Sequence, residues 1–241
     1  MRDTGKTNLS AFSVNDLEIN RIRYDSKDAI IKTTKLNPSM GKNSEQVFDQ
    51  INLYIESFID AKINIPTILH REFSPEEIVY ICEDAGDNVF ASFLPKNIKK
   101  TIEDGEVLAS IFDTLYKAQS HDIHLDPHPK NYVINGEVIK YVDFTPPYSQ
   151  EYYDLRLSVA SESQKPVLND FFKCFEPSEI VIHFLGDLLK IDREIYDYAE
   201  TIFELIKERN LTKLDYKNFL LRAEEVVIRE KKREGEGIFL L

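Results

Sequence analysis

The chain has 241 residues, of which 42% are hydrophobic, so it is long enough to bury a substantial core. Its formal net charge of −12 argues against nucleic acid as a ligand, because such binding draws most of its free energy from clustered Lys and Arg. Two cysteines are too few for a disulfide framework, and the lack of a long apolar run or an apolar leader predicts a cytoplasmic protein with no membrane segment.

The N-terminal third of the chain predicts a small β-rich unit around one helix. Runs rich in Ile and Thr indicate strands, and apolar residues at helical spacing, among them Val47, Ile51 and Phe58, indicate the helix. In chain order, the predicted elements are strands over residues 17–24 and 29–36 joined by a turn at 25–28, a helix that starts after Ser44 and runs through Asp60, and strands near 67–71 and 78–82.

Beyond Gly86 the pattern becomes mainly helical, which predicts two lobes over residues 1–86 and 87–241 of an α+β protein. An amphipathic helix over residues 103–120 leads into a polar loop and a β-hairpin. Later helices are predicted over residues 152–161, 177–190, 192–209 and 214–232.

The polar loop carries the most specific chemical signal. Residues 124–131 read His-Leu-Asp-Pro-His-Pro-Lys-Asn, and Asp143 follows Asn131 by twelve positions. A carboxylate such as Asp126 can accept the proton of an attacking hydroxyl, while an Asn and a second Asp can hold the magnesium ion of a nucleotide. The spacing therefore suits metal-bound phosphoryl transfer, with Asn131 and Asp143 as metal ligands.

The hairpin explains how these residues could meet. Asn135-Gly136 stands between two β runs and predicts a two-residue turn with Ile134 opposite Glu137. The returning strand would then bring Asp143 back beside the loop that holds Asp126.

These motifs resemble the kinase-like superfamily, and within it the small-molecule kinases typified by aminoglycoside phosphotransferases and choline kinases. Their loop commonly reads His-Gly-Asp-x-His-Pro-x-Asn, which residues 124–131 match except at Leu125. Further similar segments, in the family's order, are a strand with Lys32, a strand and hinge over residues 79–86, Val-Asp-Phe at Asp143, and aromatic-Asp-Leu at Asp154.

The resemblance implies a bilobal protein-kinase-like fold that binds ATP, or another nucleoside triphosphate, with Mg²⁺. It implies that Asp126 is catalytic and that Lys32 orients phosphates with an acidic partner, Glu45 or its rivals Asp49 and Glu56. The remaining implied roles are adenine binding at Glu83 and Ala85, and support of the loop by His124, His128 and a buried Asp154.

The acceptor is expected to be a small molecule with a hydroxyl group. Only ten residues, 144–153, separate Asp143 from Asp154, which leaves no room for the long activation segment that holds a peptide substrate. The stiff segment over residues 145–148 is expected to form one wall of the acceptor pocket.

Other functions fit the same residues. His121, His124, Asp126 and His128 could instead be the metal ligands of a hydrolase. A nucleotide-binding pseudokinase that acts through a protein partner is favoured by the lack of glycine in residues 8–20, and nucleotidyl transfer would use much of the same metal site.

Overall fold

The computed structural model describes residues 17–36, 43–89, 102, 105–145, 147–162 and 164–235. Within them the chain forms two antiparallel sheets and a set of helices, which confirms the α+β class. No helix in these ranges is both long enough and apolar enough to cross a membrane. The glycine-free segment over residues 8–20 lies mostly outside the described residues.

The larger sheet has four strands in the order β1-β2-β4-β3. Its strands are β1 (Leu17–Tyr24), β2 (Lys27–Lys35), β3 (Ile68–Phe73) and β4 (Glu77–Glu83). Tyr24 pairs with Lys27, so the first turn contains only Asp25 and Ser26, with φ of 48° and 66°. Two positive φ values give the turn whose twist matches a hairpin, which is why it is shorter than the predicted four-residue turn.

Helix α1 (Ser44–Asp60) ends where predicted, includes Ser44, which was expected to precede it, and contacts β3 and β4. Its buried face includes Val47, Ile51, Ile55 and Phe58, as the apolar spacing requires. Each of these side chains is at most 1% exposed, and burying one contributes about 1.5–3 kcal/mol to the free energy of unfolding. The helix is therefore attached to the sheet chiefly by hydrophobic burial.

The smaller sheet has the strand order β5-β6-β7, with β5 (Asp87–Asn88), β6 (Tyr132–Asn135) and β7 (Val138–Tyr141). Asn135 pairs with Val138 and Ile134 with Ile139, so the turn is Gly136-Glu137, one residue later than predicted, and the predicted pairing of Ile134 with Glu137 is wrong. Gly136 takes the first turn position with φ of 62°, a conformation that glycine adopts at little cost.

Further helices precede and follow this hairpin in the described ranges. They are α2 (Glu106–Ser120), α3 (Gln150–Val159), α4 (Lys165–Lys173), α5 (Ile180–Ile191), α6 (Ala199–Glu208) and α7 (Tyr216–Gly235). Helix α4 was not predicted, and its Pro166 sits in the first turn, where proline is tolerated. The predicted helix over residues 192–209 is instead a 3₁₀ segment, Arg193–Tyr198, followed by α6, since Asp192 accepts the Glu194 N–H at 2.9 Å and starts a tight turn.

Candidate functional site

The loop that precedes β6 is held by its own polar groups. The Asp126 carboxylate accepts the backbone N–H of His128 at 2.9 Å, and the Asp126 N–H donates to the Tyr141 hydroxyl at 3.2 Å. His128 Nδ1 in turn accepts the Lys130 N–H at 3.1 Å, at the start of a short 3₁₀ turn, Pro129–Asn131. These contacts fix the backbone on both sides of Asp126.

Asn131 joins this loop to the segment that follows the hairpin. Its buried side-chain amide donates to the backbone oxygen of Asp126 at 3.2 Å and to the carboxylate of Asp143 at 3.3 Å. The Val142 N–H also donates to the Asn131 carbonyl at 2.9 Å, one residue before Asp143. The structure thus brings Asn131 and Asp143 into contact and places Asp126 beside them, despite the changed hairpin register.

The surroundings of Asp143 disfavour the ionised form of its carboxylate. Burial raises its pKa to about 6, and the neighbouring Asp126 carboxylate acts in the same direction. The Lys32 ammonium and a hydrogen bond from the Tyr148 hydroxyl, at 3.0 Å, oppose this rise. The two carboxylates therefore repel each other in a site where a divalent cation would offset the repulsion.

The donor atoms fit magnesium. Mg²⁺ prefers carboxylate, amide and phosphate oxygens, and Asn131 and Asp143 supply the first two kinds. Asn131 would present its amide oxygen to the ion, since its nitrogen already donates to Asp126 and Asp143. The residues present are thus compatible with the ion that the loop sequence implies.

Lys32 on β2 points toward this site. It is 6% exposed, lies 4.3 Å from the centre of the Phe144 ring and donates to the carbonyl of Val142. Burial lowers the pKa of Lys32, and the Asp143 carboxylate partly restores it. Its position, buried beside an acid of the loop, suits an ammonium group that contacts phosphate.

The acidic partner expected for Lys32 on α1 is not formed. Glu45, Asp49 and Glu56 are all exposed, because they lie on the helix face opposite the buried stripe. The acid beside Lys32 is Asp143 instead. Because the orientation of α1 turns Glu45 toward solvent, the expected pairing of Lys32 with Glu45 is not observed.

The expected hinge for adenine is the connection between the two sheets. The Glu83 side chain pairs with Lys140 and accepts the Thr67 N–H at 3.0 Å, while Ala85 is buried at 5% exposure. The Glu83 N–H also donates to the Thr67 carbonyl at 3.0 Å, so both the side chain and the backbone N–H of Glu83 already have partners within the protein.

The two loop histidines have structural contacts. The His124 ring stacks on Phe172 with 4.7 Å between centroids, and its carbonyl accepts the Tyr54 hydroxyl. Burial lowers the pKa of both His124 and His128, to about 4 for His128. Both rings are therefore neutral at pH 7, which agrees with loop support and not with proton donation.

Two expectations differ from the structure. Asp154 is exposed and accepts a hydrogen bond from Gln150 in its own helix, at 2.8 Å, whereas a buried acceptor was expected. The four-ligand cluster of a hydrolase does not form either, because among the described residues no group of three or more His, Cys, Asp or Glu could hold a metal ion. Instead, the exposed His121 contacts the Lys117 carbonyl at 2.9 Å.

Asp187 on α5 belongs to the surroundings of the site although the sequence analysis missed it. Burial raises its pKa well above the usual range, and the charges of Asp126 and Glu230 add to the effect. The signal in the sequence was a lone acid inside the apolar run Ile180–Ile191, where burying a carboxylate costs free energy unless it is paired or hydrogen-bonded.

No family model matches this chain.

Proposed function

We propose that this protein is an ATP- and Mg²⁺-dependent phosphotransferase of the kinase-like type that acts on a hydroxyl group of a small molecule. One observation carries the proposal: the Asn131 amide bonds both the loop at Asp126 and the carboxylate of Asp143. That contact joins two oxygen ligands for a metal ion to each other and to the backbone of the residue that carries the proposed proton acceptor, Asp126. The sheet over residues 17–83 and the helices beyond residue 105 would form the two lobes of a bilobal kinase-like fold.

Each residue has a defined task in this reaction. Asp126 orients the acceptor hydroxyl and takes its proton as the new oxygen–phosphorus bond forms and the bond between the β- and γ-phosphates breaks. Lys32 neutralises part of the phosphate charge, and Asn131 and Asp143 hold Mg²⁺. The bound ion would supply further neutralisation of charge on the phosphates. Most of the rate then comes from positioning and electrostatics.

The test has two readouts. ADP release is measured against amino alcohols, sugars, aminoglycosides and nucleosides, and the product mass separates phosphoryl from nucleotidyl transfer. Asp126→Asn should keep nucleotide binding and lower turnover by ~100-fold or more, since it removes the proton acceptor alone. Asp143→Ala should abolish Mg²⁺-dependent nucleotide binding in calorimetry.

Asp122→Asn is the matched control, because Asp122 is an exposed acid only four positions before Asp126 and should leave turnover unchanged. Unchanged turnover in Asp126→Asn would remove that residue from the mechanism. Nucleotide binding that ignores both Mg²⁺ and Asp143→Ala would refute the metal site.

A further inference from the structure

One arginine contacts both ends of the hinge between the two sheets. The hinge, residues 84–86, joins β4 to β5, and Arg21 lies on β1, an edge strand of the larger sheet. The Arg21 Nε lies 3.2 Å from the Asp84 carboxylate, and its Nη2 donates to the Asp87 carboxylate at 3.4 Å. A single guanidinium can bind two acids in this way because its donors form a planar fork.

Asp84 links Arg21 to the backbone of the hinge. The Oδ2 atom of Asp84 lies beside the Arg21 Nε, and its Oδ1 atom accepts the Gly86 N–H at 3.2 Å. Gly86 lies against the Ile134 carbonyl of β6, so close that an added Cβ would be 2.1 Å from the oxygen. A series of contacts therefore runs from the edge of the larger sheet to the middle strand of the smaller one.

Asp87 belongs to the smaller sheet itself. It lies in β5 and pairs with Ile134 of β6, so its contact with Arg21 joins β1 directly to that sheet. Glu83, at the end of β4, forms a further ion pair with Lys140 of β7. Ion pairs thus join the two sheets on the residues that flank the hinge.

Ala85 lies between the two hinge residues that are held. It is 5% exposed, and neither its N–H nor its carbonyl makes a hydrogen bond within the described part of the chain. Buried backbone groups are normally paired, and a nucleobase has donors and acceptors along its edge that pair with such groups. The direction of the Ala85 groups depends on where Asp84 and Gly86 are held.

We propose that Arg21 is a positioning residue for the nucleotide. By binding Asp84 and Asp87 it fixes the hinge, and it thereby holds the Ala85 backbone where the base meets it. The role toward the nucleotide rests on the proposed function, whereas the fixing of the hinge does not. Because Arg21 contacts none of the reacting groups, it affects nucleotide binding and leaves the chemical step unchanged.

The expected effects are modest because the ion pairs are open to solvent. The side chains of Arg21 and Asp87 are 66% and 75% exposed, and that of Asp84 is 20% exposed. An exposed ion pair shifts an equilibrium by up to about fivefold, and salt screens it. We therefore expect changes of about two- to fivefold in Arg21→Met at low salt, and smaller ones at about 1 M salt.

Two measurements test the hinge and its role separately. Hydrogen exchange of the Gly86 amide without nucleotide reports opening of the hinge, and Arg21→Met should make it about two- to fivefold faster. Calorimetry with MgATP should show a dissociation constant raised by a similar factor. With an acceptor that supports ADP release, the KM for ATP should rise while kcat is kept. Arg21→Lys should recover part of each change, because an ammonium lacks the paired donors that reach both acids.

Arg23→Met is the matched control. Arg23 lies two residues further along β1 with a side chain that is 71% exposed, and it pairs with Asp28 at 3.6 Å inside its own hairpin. The variant removes the same charge from the same strand without touching the hinge acids. Both readouts should be unchanged.

Equal exchange at Gly86 in Arg21→Met and Arg23→Met would show that Arg21 does not hold the hinge. Faster exchange with an unchanged dissociation constant, or a lower kcat with an unchanged KM, would overturn the positioning role and leave the phosphotransferase standing. If the unaltered protein binds no nucleotide, the proposed function and the role toward the nucleotide both fail, whereas faster exchange in Arg21→Met still upholds the fixing of the hinge.

Discussion

Replacing Gly86 by Ala tests how the two sheets are joined. Gly86 has φ of 105°, and a Cβ built on it would lie 2.1 Å from the carbonyl oxygen of Ile134 on β6. Since real Cβ atoms essentially never approach closer than 3.0 Å, β6 or the hinge must move by about 0.9 Å. The backbone conformation costs an L-residue about 1–2 kcal/mol, and overpacking adds about 1–3 kcal/mol. We expect Gly86→Ala to lower the free energy of unfolding by about 2–5 kcal/mol.

The measurement is urea denaturation followed by circular dichroism. Free energies are compared between variants whose free energy of unfolding has the same slope against urea concentration. Gly105→Ala and Gly136→Ala are the controls, because both glycines have positive φ, 66° and 62°, with nothing within 4 Å of an added Cβ. They should lose about 1 kcal/mol each, the backbone contribution alone. If Gly86→Ala is no more destabilising than Gly136→Ala, the close approach of the hinge to β6 is refuted.

Two further changes test the helices and the loop. Gly186→Ala should lower the free energy of unfolding by about 1–3 kcal/mol, since its Cβ would lie 2.7 Å from both Cβ and Cγ1 of Val226. Val226→Gly removes both of these atoms, so in the same chain it should recover at least about 0.5 kcal/mol in a double-mutant cycle, and purely additive losses would contradict that packing. Burial lowers the pKa of His128 from 6.5 to about 4, so between these pH values the unfolded chain binds a proton that the native chain does not, and stability should fall by at most about 3 kcal/mol as the pH drops from 6.5 to 4. His128→Asn, which keeps an acceptor for the Lys130 N–H, should flatten that part of the pH profile, and an unchanged profile would assign the loss to other groups.

Local signals predicted the elements that depend on neighbouring residues. The apolar spacing of Val47, Ile51 and Phe58 was enough to predict the end of α1 and its start to within one residue, because a single buried face defines an amphipathic helix. The predicted strand positions in the larger sheet were also close to the observed ones. The hairpin was predicted but its register was not, since Gly136 can occupy either turn position and the choice depends on which faces are buried. Helix α4 was missed although the bonds at its start are local, from the Ser161 N–H and hydroxyl to the Gln164 side chain and from the Lys165 N–H to the Ser161 carbonyl.

The candidate site also has features that the local sequence predicts and features that depend on how the helices pack. The loop over residues 124–131 and the return of Asp143 follow from a short motif and a hairpin, both of which are local. Three features depend on how the helices are rotated and packed: which acid lies beside Lys32, the exposure of Asp154 and the raised pKa of Asp187. Desolvation and pairwise charge act over a few ångströms of space whatever the separation along the chain, so folding must bring these groups together before their roles can be assigned.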